Sequence, residues 1–491
     1  MITAELSPLL NEKVEKLSCV SLFSGSGGLD CGFRLYNMFD TRLAIDVNDS
    51  AARAFCLNFG MEIQDEATDE KTDTCQNRFW NRDITKVNFE SKFATSINPD
   101  VIIGGPPCQD FSVIRGPKGG DGMKVQRGRL YSYFVKSLIH LKPKYFVFEN
   151  VPGLKGEKHG ETWNTIKEDF SNLTEHAQEI KQLTGNGYSN TNPGYHLIFS
   201  DIVDASRLGV AQKRSRAIII GIRKDLLNGT LPQKELLKRI ATKELSGVSL
   251  FFSKFPLTPI EVIEGYPLPE LREKYREIMD DWRTELGKSH LAKPKNWVKN
   301  FEAEYTGDIL LDYIKANVIQ EVIPNEMEIA FKEHKKLLIE LGYYGKPAYE
   351  LTYPDGSNDI PKDSDFVNRR MKLIPPDENY KFLYRYLRYR VEGKGISMIY
   401  RRIHPLKPSY TVVAKGGGGT HGYHYLIGRS RLTNRERARL QSFPESFLFD
   451  GGYSEQRSQV GEAVPPLLGR RIGEVLVKIN EIIECESSNL T

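Results

Sequence analysis

The sequence predicts an α/β protein: a mostly parallel sheet with helices on both faces, followed by a smaller and less regular second domain. Three observations predict it. Over the first ~225 residues, short β-rich apolar runs alternate with polar or glycine turns and helix-like stretches. The first run, Cys19–Phe23, passes straight into the glycine turn Ser24-Gly25-Ser26-Gly27-Gly28. From about Lys224 to about Gly395 the chain turns charged and rich in Lys, Glu, Tyr and Pro, and the alternation stops.

The strands expected are Cys19–Phe23, Arg42–Ile45, Val101–Ile103, Tyr145–Phe148, His196–Phe199 and Ala217–Ile222. Apolar runs of this kind suit strands covered on both faces, as in a parallel sheet joined by crossover helices. The middle of the chain mixes helical stretches such as Glu326–Leu341 with loop-like ones such as Tyr353–Asp365. Ile472–Cys485 has an amphipathic stripe that needs a surface to cover, which the first domain can supply. The expected division is 1–235, 236–455 and a returning segment 456–491.

Composition excludes several classes. Net charge is +4 and charged residues make up 27%, permitting a polyanionic partner without requiring one. The six cysteines form no CxxC pair, so neither a disulfide framework nor a zinc site is expected, and no metal is assigned. No apolar run approaches the roughly 20 residues of a membrane span, and the first residues lack a secretory pattern.

The candidate chemistry lies at the strand ends. Gly104-Gly105-Pro106-Pro107-Cys108-Gln109 presents a cysteine on a stiff turn after Val101–Ile103, scaffolding a core cysteine does not need. Phe23, Gly25, Gly27, Gly28 and Leu29 form a strand–turn–helix junction where a ligand can approach backbone closely. Asp46 ends the second strand about 20 residues on, where ribose hydroxyls are commonly held. Asp83 and Ile84 offer a second carboxylate and an apolar wall; each acid alone reads equally well as a helix cap. Glu149 follows four aromatic or β-branched residues, so burial is expected to raise its pKa. Alternation places Arg214 and Arg216 on one face ahead of the strand Ala217–Ile222, as a donor fork. Gly116–Gly128 reads as a lid. The arginine-dense Arg429–Arg439 reads as a solvated helix face ahead of a phosphate track. Gly416 and Gly417, with Thr420 and His421, let backbone and polar side chains approach a ligand closely; a plain flexible loop fits as well.

Taken in order, these segments resemble the DNA (cytosine-5) methyltransferase family, bacterial restriction-modification type. Phe23–Gly28 is similar to its S-adenosylmethionine loop, with Asp46 and Asp83 as ribose- and adenine-side acids. Pro107-Cys108-Gln109 matches the nucleophile motif, Arg127–Leu130 the segment closing the lid, and Glu149-Asn150-Val151 the acid motif. Gln212–Arg216 matches the arginine pair that grips the base. Arg435–Pro444 resembles the motif bracing the recognition domain, and Val460–Pro466 the last motif, which returns to the cofactor. Two positions depart from the pattern: Ser21 stands where many members have Asp, and Glu462 where Asn is usual.

The resemblance implies a Rossmann-like S-adenosylmethionine-dependent methyltransferase domain with a target-recognition domain. Cys108, Glu149, Arg214 and Arg216 are then catalytic. Ile84, Pro107, Leu29, Leu130, Glu462 and Val464 join the cofactor set, Gln109 and Ser112 face DNA, and Gly416, Gly417, Thr420 and His421 are the candidates for reading its bases. The expected substrate is double-stranded DNA, acted on by a monomer in a bacterial cytoplasm that shares a function, but no direct binding, with a restriction endonuclease. Three other functions compete with this one. A zinc deaminase fails because Phe111 replaces the second cysteine and the motif order is wrong. A tRNA cytosine-5 methyltransferase lacks support from any Cys-Phe-Thr signature. A catalytically silent DNA-binding protein is disfavoured by intact Cys108, Glu149 and Arg216.

Overall fold

The computed structural model describes residues 15–64, 77–91, 94, 96–107, 129–156, 160–174, 177, 192–246, 251–391, 398–415 and 422–488. The chain forms two units, one of Met1–Val203, Ser215–Val248 and Leu468–Thr491, the other of Asp204–Arg214 and Ser249–Leu467. These divisions differ from the expected ones. Breaks at 235/236 and 455/456 would fall inside the helices Leu231–Ser246 and Tyr453–Glu462, whose backbone bonds rule out a linker there. The short stretch Asp204–Arg214 also passes to the second unit.

The first unit is built on an eight-stranded sheet. Its strands are β1 (Leu17–Leu22), β2 (Phe39–Asp46), β3 (Glu62–Gln64), β4 (Arg78–Asn81), β5 (Val101–Gly104), β6 (Tyr145–Asn150), β7 (Tyr195–Asp204) and β8 (Ser215–Arg223). They lie in the order β3-β4-β2-β1-β5-β6-β8-β7. The pairs from β3 to β6 are parallel, and β8 runs antiparallel to β6. The α/β expectation, mostly parallel with helices, therefore holds. Order along the chain reverses at β1 and β5, and ligands of such sheets bind outside the carboxyl ends of strands at that point.

Alternation assigns each helix to a face. Val20, Leu22, Leu43, Ile45, Ile102, Phe146 and Phe148 share one core with Phe134 and Leu138, and with Trp163, Ile166 and Phe170. The first pair comes from the helix Arg129–Leu141 and the trio from Gly160–Ser171. The opposite face carries Ala44 and Phe79, which pack on Ala52 and Phe55 of Asp49–Phe59. The terminal helix Pro466–Ser488 also serves the first unit: a Cβ at Gly469 would lie 2.7 Å from the Leu29 carbonyl, and Tyr145 donates to Asn480 at 3.0 Å. Glycine at 469 is what permits that close approach.

The second unit is helical and irregular. Its centre corrects the reading of Arg429–Arg439 as solvated: Arg435, Arg437 and Arg439 are at most 1% exposed. Arg435 pairs with Asp355 at 3.1 Å, and Arg439 with Glu445 at 2.7 Å. Arg437 donates to Asn434 at 2.7 Å and to the Tyr453 hydroxyl at 3.0 Å. Arginine forks can satisfy several acceptors at once, so buried arginines serve here as cross-braces. Among the described residues no helix is long and apolar enough to cross a membrane.

Candidate active site at the carboxyl edge of the sheet

Register sets the site. Leu22 pairs with Ile45 and with Gly104, and Gly104 pairs with Phe148. One residue further along each strand come Phe23, Asp46, Gly105 and Glu149, which therefore share a level on one face of the carboxyl edge.

The turn after β1 is held open by its backbone. Phe23, Gly25 and Gly27 all have positive φ, at 54°, 53° and 89°. A Cβ at Gly27 would strike the Phe59 ring at 2.6 Å, so glycine is required there. A Cβ at Gly25 would meet nothing within 4 Å, which leaves the space over the turn free for a ligand. Asp46 fixes the turn by accepting the Gly25 N–H at 2.8 Å and the Asn48 N–H at 2.9 Å. Burial pushes its carboxyl pKa up, against those bonds. Asp46 is no helix cap; that part falls to Asn48, which accepts from the Ala51 N–H at 2.9 Å. Asp83 is a cap: its Oδ1 accepts the Thr85 N–H at 2.9 Å. Ile84 is 4% exposed in the core. Gly28 and Leu29 open the first helix and are buried, and Leu130 packs partly buried against the sheet core.

Glu149 sits between β5 and β8. Directly opposite it on β8 is Ile218, so Arg216, two residues earlier, lies on the same face. Arg216 Nε is 2.7 Å from Glu149 Oε1, with the side chains 11% and 13% exposed. A Cβ at Gly105 would come within 2.5 Å of Glu149 Oε2. Asn150, 3% exposed, donates to the Pro106 carbonyl at 2.8 Å, and its Oδ1 accepts the Val151 N–H at 2.9 Å. The strand that carries the acid thus also clamps the turn leading to Cys108. Pro107 is exposed on that turn. Cys108, Gln109, Ser112, the expected lid, and Gly416, Gly417, Thr420 and His421 lie outside the described residues.

The model of the family of C-5 cytosine-specific DNA methylases matches residues 17–478. The chain belongs to that family. The DNA (cytosine-5-)-methyltransferase M.ApeKI of Aeropyrum pernix is 45% identical, over 96% of this chain and 100% of its own length. The type II methyltransferase M.NgoFVII of Neisseria gonorrhoeae is 29% identical over 95% of this chain and 87% of its own. A crystal structure of a prophage-encoded E. coli protein described as a DNA modification methyltransferase has a TM-score of 0.53. At 19% identity, with 95% of this chain and 100% of that one covered, it shows a shared fold. This protein is a DNA (cytosine-5-)-methyltransferase.

Within this methylase, Arg214 departs from its expected part. It precedes β8, so strand alternation does not reach it, and it is 1% exposed. Its Nη1 donates to the Val412 carbonyl at 3.2 Å, and Nη2 to the Gly461 and Ala463 carbonyls, both at 2.8 Å. Arg214 and Arg216 therefore make no common fork. Arg214 instead holds the backbone on either side of Glu462. Glu462, exposed at the end of Tyr453–Glu462, and Val464, 9% exposed, belong to the second unit.

Three side chains of the methylase escaped the sequence reading. Asn150 was seen only as part of a motif. Val47, 67% exposed directly after Asp46, offers apolar surface beside the turn; an apolar residue following a strand-end acid was the available signal. Asp30 lies buried in the first helix, where the Ser21 hydroxyl donates to it at 2.9 Å. A carboxylate thus hydrogen-bonds to the position where many members of the family carry Asp. Burial pushes Asp30 up to about 7, against bonds from Ser21 and Thr41.

Two outcomes follow from these environments. The folded-state pKa of Asp30 exceeds its unfolded value of about 3.9, so this group binds a proton on folding and its contribution to stability falls from about pH 4 to about pH 7. Asp30→Asn should therefore gain stability relative to wild type across that window, by on the order of a few kcal/mol in urea titrations. A difference independent of pH would contradict this. Arg214→Ala strands three carbonyls and should cost about 3 kcal/mol in the same assay; a loss within experimental error would show that the arginine braces nothing.

Proposed function

We propose that this methyltransferase modifies one cytosine within a specific double-stranded sequence, with the base turned out of the helix and held covalently by Cys108. The observation that carries the reading is the 2.7 Å Glu149–Arg216 pair, packed against Gly105 three residues before Cys108. A target ring inside the duplex is out of reach, and extruding it costs a few kcal/mol.

Cytosine C5 is too weak a nucleophile to accept a methyl group directly. Addition of the Cys108 thiolate to C6 forms an S–C6 bond and moves the ring electrons to C5 as an enamine. Glu149 accepts from the exocyclic amine and shares a proton with N3, which neutralises the charge as it develops. Arg216 orients Glu149 through Nε and donates to its own neighbour's carbonyl through Nη1 at 2.8 Å. Its Nη2 is assigned to cytosine O2. Once C5 is methylated, a base removes the C5 proton, the electrons return to the ring, and Cys108 leaves as thiolate. Asn150 keeps the Pro106 turn, and with it the nucleophile, in place.

The residues around the first turn fit S-adenosylmethionine, which supplies the electrophilic methyl group when bound. Phe23–Leu29 would take its polar chain against open backbone, Asp46 the ribose hydroxyls, and Val47 with Asp83 the adenine side. A protective role beside a restriction endonuclease completes the proposal, and the relatives named type II methyltransferases support that role; the active form is proposed to be a monomer.

Bisulfite sequencing of plasmid from expressing cells should find one protected cytosine in a recurring sequence. Cys108→Ser should abolish protection while duplex binding stays within about threefold of wild type. Methylation by that variant would rule out the covalent route.

A further inference from the structure

Within the second unit, Tyr380–Arg390 contains no acidic residue and carries Lys381, Arg385, Arg388 and Arg390 among aromatic side chains. It folds as two single turns, Tyr380–Leu383 and Leu387–Tyr389. The segment divides cleanly by burial. Phe382 and Leu383 are buried, and with Tyr386 and Tyr389 they join a cluster around Met371, Ile374 and Tyr423. The Tyr386 hydroxyl accepts the Lys293 N–H at 2.8 Å, and Tyr389 stacks on Phe366 at 6.2 Å.

The other side chains face out. Leu387 is 84% exposed, more than any other large apolar side chain among the described residues. Lys381, Arg385, Arg388 and Arg390 are exposed around it. Arg390 lies 4.5 Å over the Tyr384 ring and donates to its hydroxyl at 2.9 Å, so that cation is held outward. A scattered exposed leucine needs no explanation. An anchored one among arginines that make no ion pair with the described residues has the chemistry of a surface for a polyanion that also presents apolar edges.

We propose that Tyr384–Arg390 is a duplex-contacting surface of this enzyme, with Arg385, Arg388 and Arg390 on phosphates and Leu387 entering the groove between them. It rests on the duplex-DNA reading above and adds a contact element outside the glycine-rich candidate loop. The arginines give charge-assisted contacts that release counterions; the leucine gives an apolar contact to sugars or base edges that salt does not screen.

The two parts separate by salt dependence. Arg385→Gln/Arg388→Gln removes two guanidinium groups that make no hydrogen bond or ion pair among the described residues, so melting should be unchanged. Fluorescence anisotropy on a duplex bearing the mapped site should show the slope of log K against log salt become shallower by about 1.8. Leu387→Ala should weaken binding roughly fivefold or more at an unchanged slope. Wild-type affinity and slope in both variants would overturn the proposal. So would a change of oligomeric state in Leu387→Ala with DNA affinity intact, which would make the leucine a protein contact. Failure of the wild-type enzyme to bind duplex is a different result: it removes the parent reading, and this surface with it.

Discussion

The reaction proposed here depends on one cross-strand contact, the Glu149–Arg216 ion pair between two antiparallel neighbours in an otherwise parallel region. The direction of β8 is what makes it possible. Because β8 runs against β6, its first residues lie beside the last residues of β6. A parallel β8 would begin at the opposite edge, leaving the acid without its arginine. The parallel β5–β6 pairing then brings Gly105 level with Glu149, and only a residue without a side chain fits against that carboxylate. Nucleophile turn, acid and arginine are thus consequences of strand register rather than of independent loops. Loops move more than strands, so a geometry defined by register is well suited to a nucleophile that must meet one ring carbon.

Buried cations do the equivalent work in the second unit. Arg402 is fully buried and donates to the Ile374 carbonyl at 2.8 Å and the Leu426 carbonyl at 3.1 Å. Arg435 and Arg439 donate to backbone carbonyls in the same way, and Arg437 braces the Asn434 and Tyr453 side chains. Irregular backbone leaves carbonyls without ladder partners, and each must be satisfied if buried. Five-donor guanidinium groups meet that need where a regular sheet is absent. Arg214 belongs with this group: Val412 and Ala463 lie outside helix and strand, and Gly461 is in the last turn of Tyr453–Glu462, where helix carbonyls lack partners of their own.

The sheet was legible because its central strands are continuous apolar runs, and the family was legible because its motifs fall at the ends of those runs. Two strands were missed for physical reasons. Glu62–Gln64 is short and exposed, and Arg78–Asn81 begins on a charged residue, so neither reads as a buried run. Arg214 was misread because alternation was extended one residue past the strand. The arginines of Asn434–Leu440 recur at i, i+2 and i+4, which on a helix covers more than one face. Such spacing looks solvated unless the helix is enclosed all round, and enclosure is not encoded locally. Asn150 carried a motif signal, but its tie to Pro106 required the β5–β6 pairing to be known.

The covalent step is tested most directly by a duplex in which 5-fluorocytosine replaces the target base, incubated with enzyme and methyl donor. Fluorine at C5 leaves no proton to remove, so Cys108 cannot depart once the methyl group is in place. The geometry predicts a denaturation-resistant protein–DNA complex whose cross-linked peptide carries the nucleotide on Cys108. Absence of that complex from enzyme that methylates ordinary duplex, or attachment to any other residue, would contradict it.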